Sequence, residues 1–571
     1  MVINTEKLSR IFWGVAAGLV MATASASGFY SDRAMETIDF IENVFEDRYA
    51  PRDWKAKHIG WDLKIAADSA RAKIQQAGPD ADLALVQDAL RDLIGSVQDY
   101  HVGIYFYATE RSTLPLEIRS AEGRFFIAHI DRKKLPEASF PFKVGDEVTQ
   151  FNGRKPDVER AEVLKYIRLN IPETDATFAE MLLTKRVARL GLPVARGPIE
   201  IEVTREVDGQ TKKYVHQLIW DYQEEVINTM SAPASLRPAL PNKTGHWLNR
   251  SMQLGAWNAL DDLWAAEEED ENPLELGGKK SFLPKLGKVI WENDKEKLFH
   301  SYIFKTDFGL LGYVRIPSYM AEDEHSAEFL EIVKKMEEQT DALVIDQVNN
   351  PGGSVFYLYS LVAMLTDRPM ATPLHRITIT QEEVQEAAKD LKTLEKITNE
   401  EEAIKELGET VGGYPVSYQL AQFFKENARF ILDQWKSGAR LTSPYYLGID
   451  KIMPHPKGHY TKPILILINE SDFSGGDFFP AIMQDNQRAT LMGVRTAGAG
   501  GYVGNVEFPN LLGIAGFSIT GSLAERVDKN PIENLGVKPD VDYKLTVDDM
   551  KKGYEPYKIK ILEQLKTLLG K

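Results

Sequence analysis

The sequence predicts an α/β core preceded by a helical unit and a smaller strand-rich module. Three observations predict it. Greasy segments LLGYVRIPS, DALVIDQVNN and PILILIN recur after residue 301, each followed by a helix-forming run, as βα units require. Residues 30–98 carry apolar side chains at spacings of three and four, for instance over 35–45 and 83–97, the helical period. Between them, from 114 to about 222, the texture changes to the short strands RFFIAHI, DEVTQFNG and IEIEVTRE.

The chain has 571 residues, enough for two to four domains. The net charge of −16 argues against a general nucleic-acid binder, which shows a basic face. The chain contains no cysteine. Disulfides, cysteine catalysis and Cys-ligated metal sites are therefore excluded.

The chain opens with Lys7 and Arg10, the apolar run IFWGVAAGLVMA and the small-residue site Ala24-Ser25-Ala26. This reads as a secretory signal peptide over residues 1–26. The run is too short to span a bilayer, which takes about 20 apolar residues. We therefore expect an exported protein, periplasmic or secreted, without stable membrane insertion. Residues 27–108 form the N-terminal helical unit.

Residues 109–223 form the strand-rich module. Its segment FKVGDEVTQFNGRKP looks like the central hairpin of a PDZ domain, with Asn152-Gly153 as a turn whose positions favour positive φ. A helix over 157–170 fits the same module. Such folds bind peptides by adding a strand to a sheet edge; the other reading is a small domain that binds nothing. Residues 224–300 are irregular, with Pro233, Pro238, Pro241 and an acidic run at 267–271, and read as a flexible linker open to proteolytic nicking. The core occupies 301–571. It is interrupted at about 375–460 by an amphipathic helical insertion carrying Val384, Ala388, Leu391, Leu394, Ile397 and Ile404.

Two strand-to-helix turns carry candidate chemistry. Ser474 follows the 464–468 strand and precedes Gly475 and Gly476. A serine there is either a helix N-cap or a nucleophile beside free helix N–H groups that stabilise an oxyanion. The run NNPGGS at 349–354 is a second glycine turn, needed either for packing or to aim N–H groups at an anion. Together they suggest a nucleophile beside an oxyanion hole. A serine needs a base, and His101 in DYHVG stands where helix gives way to strand. The base needs an acid to fix its tautomer. Glu533 in PIENLGVKPD is the candidate, a solvated loop glutamate being its default reading.

NPGG, the serine turn, QDNQRATLMGVRTAGAGG and ENLGVKPDVDY together resemble the C-terminal processing (tail-specific) serine peptidase family. The resemblance implies a ClpP/crotonase-like catalytic core with an inserted PDZ-like domain. Tail-specific members place a lysine base twenty-five residues after the serine, a position held here by Ala499. The match is closest to the branch of the chlamydial protease-like activity factor, which pairs its serine with a distant histidine and a glutamate. DYHVGIYFYATE, SDFSGGDFFP and IENLGVKPDVDY are similar to its three segments, in order.

The resemblance implies Ser474 as nucleophile, His101 as base and Glu533 as orienting acid, with Gly475 and Gly353 supplying oxyanion N–H groups. It implies no cofactor or metal, protein or peptide substrates, a homodimer and a zymogen self-processed within 224–300. The alternative is a catalytically inactive, peptide-binding scaffold working through its PDZ-like domain. An esterase of the α/β-hydrolase kind is disfavoured, because Ser474 lacks a G-x-S-x-G elbow.

Overall fold

The computed structural model describes residues 29–571 apart from 168, 227–252, 255–271, 295–296 and 321–322. The expected signal peptide and most of the expected linker lie outside the described residues. No described helix is long and apolar enough to cross a membrane.

Four helices open the chain: α1 (Phe29–Arg48), α2 (Arg52–Ile59), α3 (Leu63–Ala77) and α4 (Leu83–Gly95). Asp62 and Asp82 cap α3 and α4, accepting the N–H of Ile65 and Leu85 and so satisfying donors that a helix start leaves unpaired. The apolar stripes meet in one cluster with Ile38, Ile41, Phe45, Ile74, Leu90 and Leu93. That cluster continues into Val506, Leu512, Ile514, Phe517 and Ile519 from the far end of the chain. Strand β1 (Gly103–Phe106) explains how.

The module that follows is a five-stranded antiparallel sheet. Its strands run in chain order: β2 (Leu116–Ala121), β3 (Arg124–Ile130), β4 (Glu147–Phe151), β5 (Pro198–Val207) and β6 (Gln210–Ile219). Asn152 and Gly153 take φ of 54° and 72°, the expected turn, and the chain then enters the expected helix. That helix, α5 (Pro156–Leu164), is shorter than expected. A separate helix, α6 (Pro172–Thr184), follows with Pro172 in its first turn, where the missing proline N–H costs nothing.

The core is a seven-stranded mixed sheet. It begins earlier than residue 301, with edge strand β7 (Lys288–Glu292). Next come β8 (Ser301–Lys305), β9 (Leu310–Arg315), β10 (Ala342–Asp346), β11 (Ile464–Ile468) and β12 (Thr490–Gly493). The sheet runs β7-β8-β9-β10-β11-β12 and closes with Val541–Asp542. The first two pairings are antiparallel and the rest parallel. β10 and β11 are buried at every residue, which is why they read as unbroken apolar runs. Helices α7 (Asp323–Gln339) and α8 (Val355–Ala363) cross over between strands. The insertion supplies α9 (Gln381–Leu394), α10 (Glu400–Leu407) and α11 (Tyr418–Lys436). Val384, Leu394 and Ile397 are buried, whereas Ile404 is exposed on the outer side of α10.

A second, three-stranded sheet joins the two ends of the chain. β13 (Val503–Val506) pairs with β14 (Ile514–Thr520), and β14 pairs antiparallel with β1, Gly103 opposite Ser518. Residue 101 is thereby brought onto the core that carries residues 474 and 533.

Candidate active site

Ser474 sits between β11 and helix α12 (Gly475–Asp485). Its backbone takes φ 55° and ψ −109°, a region that L-residues adopt at a cost and that is commonly kept for function. The residue is fully buried, and its Oγ makes no hydrogen bond among the described residues. The hydroxyl therefore does not serve as a helix cap. Pro480 lies inside α12 and cannot donate to the carbonyl of Gly476. The Gln347 amide donates to that carbonyl instead, at 2.8 Å.

Asp477, three residues on, organises the turn. Its carboxylate accepts the N–H of Ser474 at 2.8 Å, of Gly498 at 2.8 Å and of Ala499 at 3.0 Å, and the Thr496 hydroxyl as well. Burial pushes this carboxyl up to about 6. At position 499 there is thus no cation, only a buried alanine whose backbone is tied to the serine turn.

The glycine turn lies against the serine turn. A side chain at Gly352 would come within 2.7 Å of the Gly475 nitrogen, and one at Gly475 within 3.1 Å of the Gly353 nitrogen. Gly353 takes φ 149°, and a Cβ there would collide with the Tyr319 backbone. Tyr319 donates its N–H to Gly352 O at 2.8 Å and accepts the N–H of Ser354 at 2.9 Å. By strand alternation the Gly353 N–H and carbonyl face the other edge. There Gln253–Leu254 pair antiparallel with Gly353–Ser354.

His101 is 2% exposed, and its backbone N–H donates to Asp99 Oδ1 at 2.8 Å. Asp99 Oδ2 accepts the hydroxyls of Tyr49 and Thr520, each at 2.8 Å. Between them, Tyr100 sets its ring edge-on against Phe473, the residue before Ser474. Its hydroxyl donates to Asp175 Oδ1 of α6 at 2.6 Å.

Glu533 is fully buried and so is not the solvated loop residue that is the default for a glutamate. Oε1 accepts from Lys55 Nζ at 2.5 Å and Asn170 Nδ2 at 3.4 Å; Oε2 accepts the Gly500 N–H at 3.2 Å. Burial and the neighbouring Asp99 push its carboxyl up and Lys55 pulls it down, leaving it at about 8. Lys55, Asp99, Tyr100 and Asp477 escaped the sequence reading. Asp477 alone had a signal, the S-x-x-D pattern of a capped helix start; the others become visible only through contacts distant in sequence.

The model of peptidase family S41 matches residues 310–543, and that of the PDZ domain residues 110–230. An uncharacterized protein of Chlamydia muridarum is 36% identical over 94% of this chain and 93% of its own length. The chain belongs to peptidase family S41. A Chlamydia pneumoniae protein is also 36% identical to this S41 peptidase, over 95% of the chain and 91% of its own. The solved structure of mature CPAF, the chlamydial protease-like activity factor, superposes with TM-score 0.81 at 33% identity, covering 95% of this chain and 98% of that one. A CPAF mutant with serine replaced by alanine gives TM-score 0.84 at 34% identity over the same shares. This S41 peptidase is a serine protease with an S41 core, a PDZ domain and a helical N-terminal region.

Proposed function

We propose that the protein is an exported serine endopeptidase working through Ser474, His101 and Glu533, and made as a zymogen. The observation that carries the triad is the serine turn. Ser474 is held in a strained backbone, its hydroxyl has no partner among the described residues, and the Gly352-Gly353 turn packs directly against Ser474 and Gly475. Ser474 Oγ attacks the scissile carbonyl while His101 takes its proton. The oxyanion is received by the Gly475 and Gly353 N–H groups, and Glu533 orients and stabilises the imidazolium. His101 then protonates the departing amine, and water releases the acyl group.

The zymogen reading is supported by the short pairing of Gln253–Leu254 with Gly353–Ser354. The edge it occupies is the one an extended substrate would use beside the oxyanion turn. The segment around it would have to leave, or be cut, before a protein substrate could bind. Export is supported by residues 1–26 and predicts a mature chain beginning at Ser27, which N-terminal sequencing of protein from its native compartment checks.

The deciding experiment is fluorophosphonate labelling with casein cleavage, run over time on gels. Wild type should label at Ser474, degrade casein and nick itself between 224 and 300; Ser474→Ala should do none of these. Wild-type cleavage by Ser474→Ala would end the triad reading. A wild type that neither labels nor cleaves, even after limited proteolysis of that segment, would favour the scaffold alternative.

A further inference from the structure

Helix α2 (RDWKAKHI) is mostly polar, and its one buried side chain is a lysine. Lys55 is fully buried. Its three ammonium protons go to Glu533 Oε1 at 2.5 Å, Asn534 Oδ1 at 2.7 Å and the Gln98 carbonyl at 2.7 Å. Asn534 in turn donates to the Gln98 carbonyl at 3.0 Å and to Asn170 Oδ1 at 2.8 Å. Trp54, beside Lys55 on α2, donates its indole N–H to Asn534 Oδ1 at 3.1 Å. One ammonium thus ties the loop bearing Glu533 to the loop that leads, three residues on, to His101.

We infer that Lys55 is a positioning residue for the hydrolysis: it fixes the Glu533 carboxyl in place, favours its charged form and locks its loop to that of His101. This rests on Glu533 being the orienting acid proposed above. The cost of burying an ammonium is high unless it is paired and fully hydrogen-bonded, and here every proton is used. The charge balance points the same way. Asp99 and Glu533 are two buried carboxylates in electrostatic contact, and Lys55 is the ammonium bonded to one of them. With Glu533 ionised and His101 neutral, these three groups carry one net negative charge. An imidazolium formed during acyl transfer brings the cluster to neutrality. Without Lys55, Glu533 would face Asp99 uncompensated and would hold its proton to still higher pH, losing the charge that stabilises the imidazolium. The other groups facing this carboxylate are Tyr49 at the end of α1, whose hydroxyl stays neutral because burial and Asp99 push it well up, and the uncharged Asn170 and Gly500.

The test is a double-mutant cycle of Lys55→Met and Glu533→Gln in the full, activated chain, with pH profiles of kcat and KM on a peptide substrate. Lys55→Met should keep KM within about twofold and lose roughly 100-fold or more in kcat at pH 7. Its rising limb should move to higher pH by about one unit or more, so that part of the loss is recovered in alkali. In the Glu533→Gln background the same change should cost less than about twofold, because its effect passes through Glu533. If Lys55→Met does not fold by circular dichroism, Lys55→Gln, neutral and still able to reach Asn534, takes its place in the cycle. A wild-type kcat and unshifted limb in the Lys55 variant, with Glu533→Gln inactive, would overturn the role of Lys55 and leave the triad standing. Full multiplicative losses in the double variant would also overturn it. Full activity in Glu533→Gln would instead remove the triad reading on which it rests.

Discussion

The rings of Tyr100 and Phe473 meet edge to face, 86° between planes and 5.6 Å between centroids. Each immediately precedes a residue proposed for the chemistry, His101 and Ser474. Phe178 of the PDZ domain stacks on the same Phe473 at 5.0 Å. The segments bearing the proposed base and nucleophile are thus joined by an aromatic contact shared by three parts of the chain.

Tyr100→Ala should therefore cost activity out of proportion to binding. The lost ring should destabilise the fold by about 3 kcal/mol and lower kcat by at least tenfold, with KM little changed. Tyr100→Phe keeps the ring and loses the hydroxyl's bonds to Asp175 and to the Ile171 backbone, so most of kcat should survive. Steady-state kinetics beside thermal melts check both.

Gly353→Ala should abolish turnover while leaving Ser474 in place. A Cβ there collides with the Tyr319 backbone, and φ 149° is a conformation that alanine resists. The turn must shift, and with it the proposed oxyanion donor, the loss of such a donor costing about 100- to 1,000-fold in kcat. Retained activity would place the second donor elsewhere.

Asp477→Asn should destabilise more than an exposed substitution would. The carboxylate accepts three backbone N–H groups and a hydroxyl, and the amide of asparagine would turn a donor toward donors. A loss of about 2–3 kcal/mol follows from the unsatisfied groups, measurable by denaturant unfolding. Phosphonate labelling of Ser474 should slow with it.

Stability and activity should respond to pH in opposite directions. Folded Glu533 and Asp477 hold their protons up to about 8 and about 6, above their ordinary 4.5 and 3.8. Their contribution to stability is complete below those ordinary values and is lost as pH rises through the folded ones. The melting temperature should therefore fall between pH 5 and 8.5, while kcat/KM climbs as Glu533 ionises. Glu533→Gln should flatten its share of the melting slope; an unchanged slope would refute the assignment.

The core strands and both glycine turns were legible in the sequence because their signals are local. An all-apolar run such as Ile464–Ile468 marks a strand buried on both faces, and Gly352-Gly353 and Gly475-Gly476 mark turns where no side chain fits. Edge strand Lys288–Glu292 was not legible, because its alternating exposure lacks that apolar signature. The helix expected over 157–170 ends early, at Leu164, and a separate one restarts at Pro172. Lys55 was illegible for a deeper reason. In RDWKAKHI a lysine at any position reads as solvated, and only a partner 478 positions away gives it cause to be buried.

The ligands of Glu533 come from three places: Lys55 from the helical unit, Asn170 from the PDZ domain and Gly500 from the core. No single unit can therefore arm the acid. A chain still being synthesised has neither Glu533 nor Gly500 until its last stretch emerges. A fragment missing either amino-terminal unit has a serine turn with its acid unsecured. On the proposed triad, peptide cleavage is thus deferred until the whole polypeptide has docked, which spares the producing cell from a partly built protease.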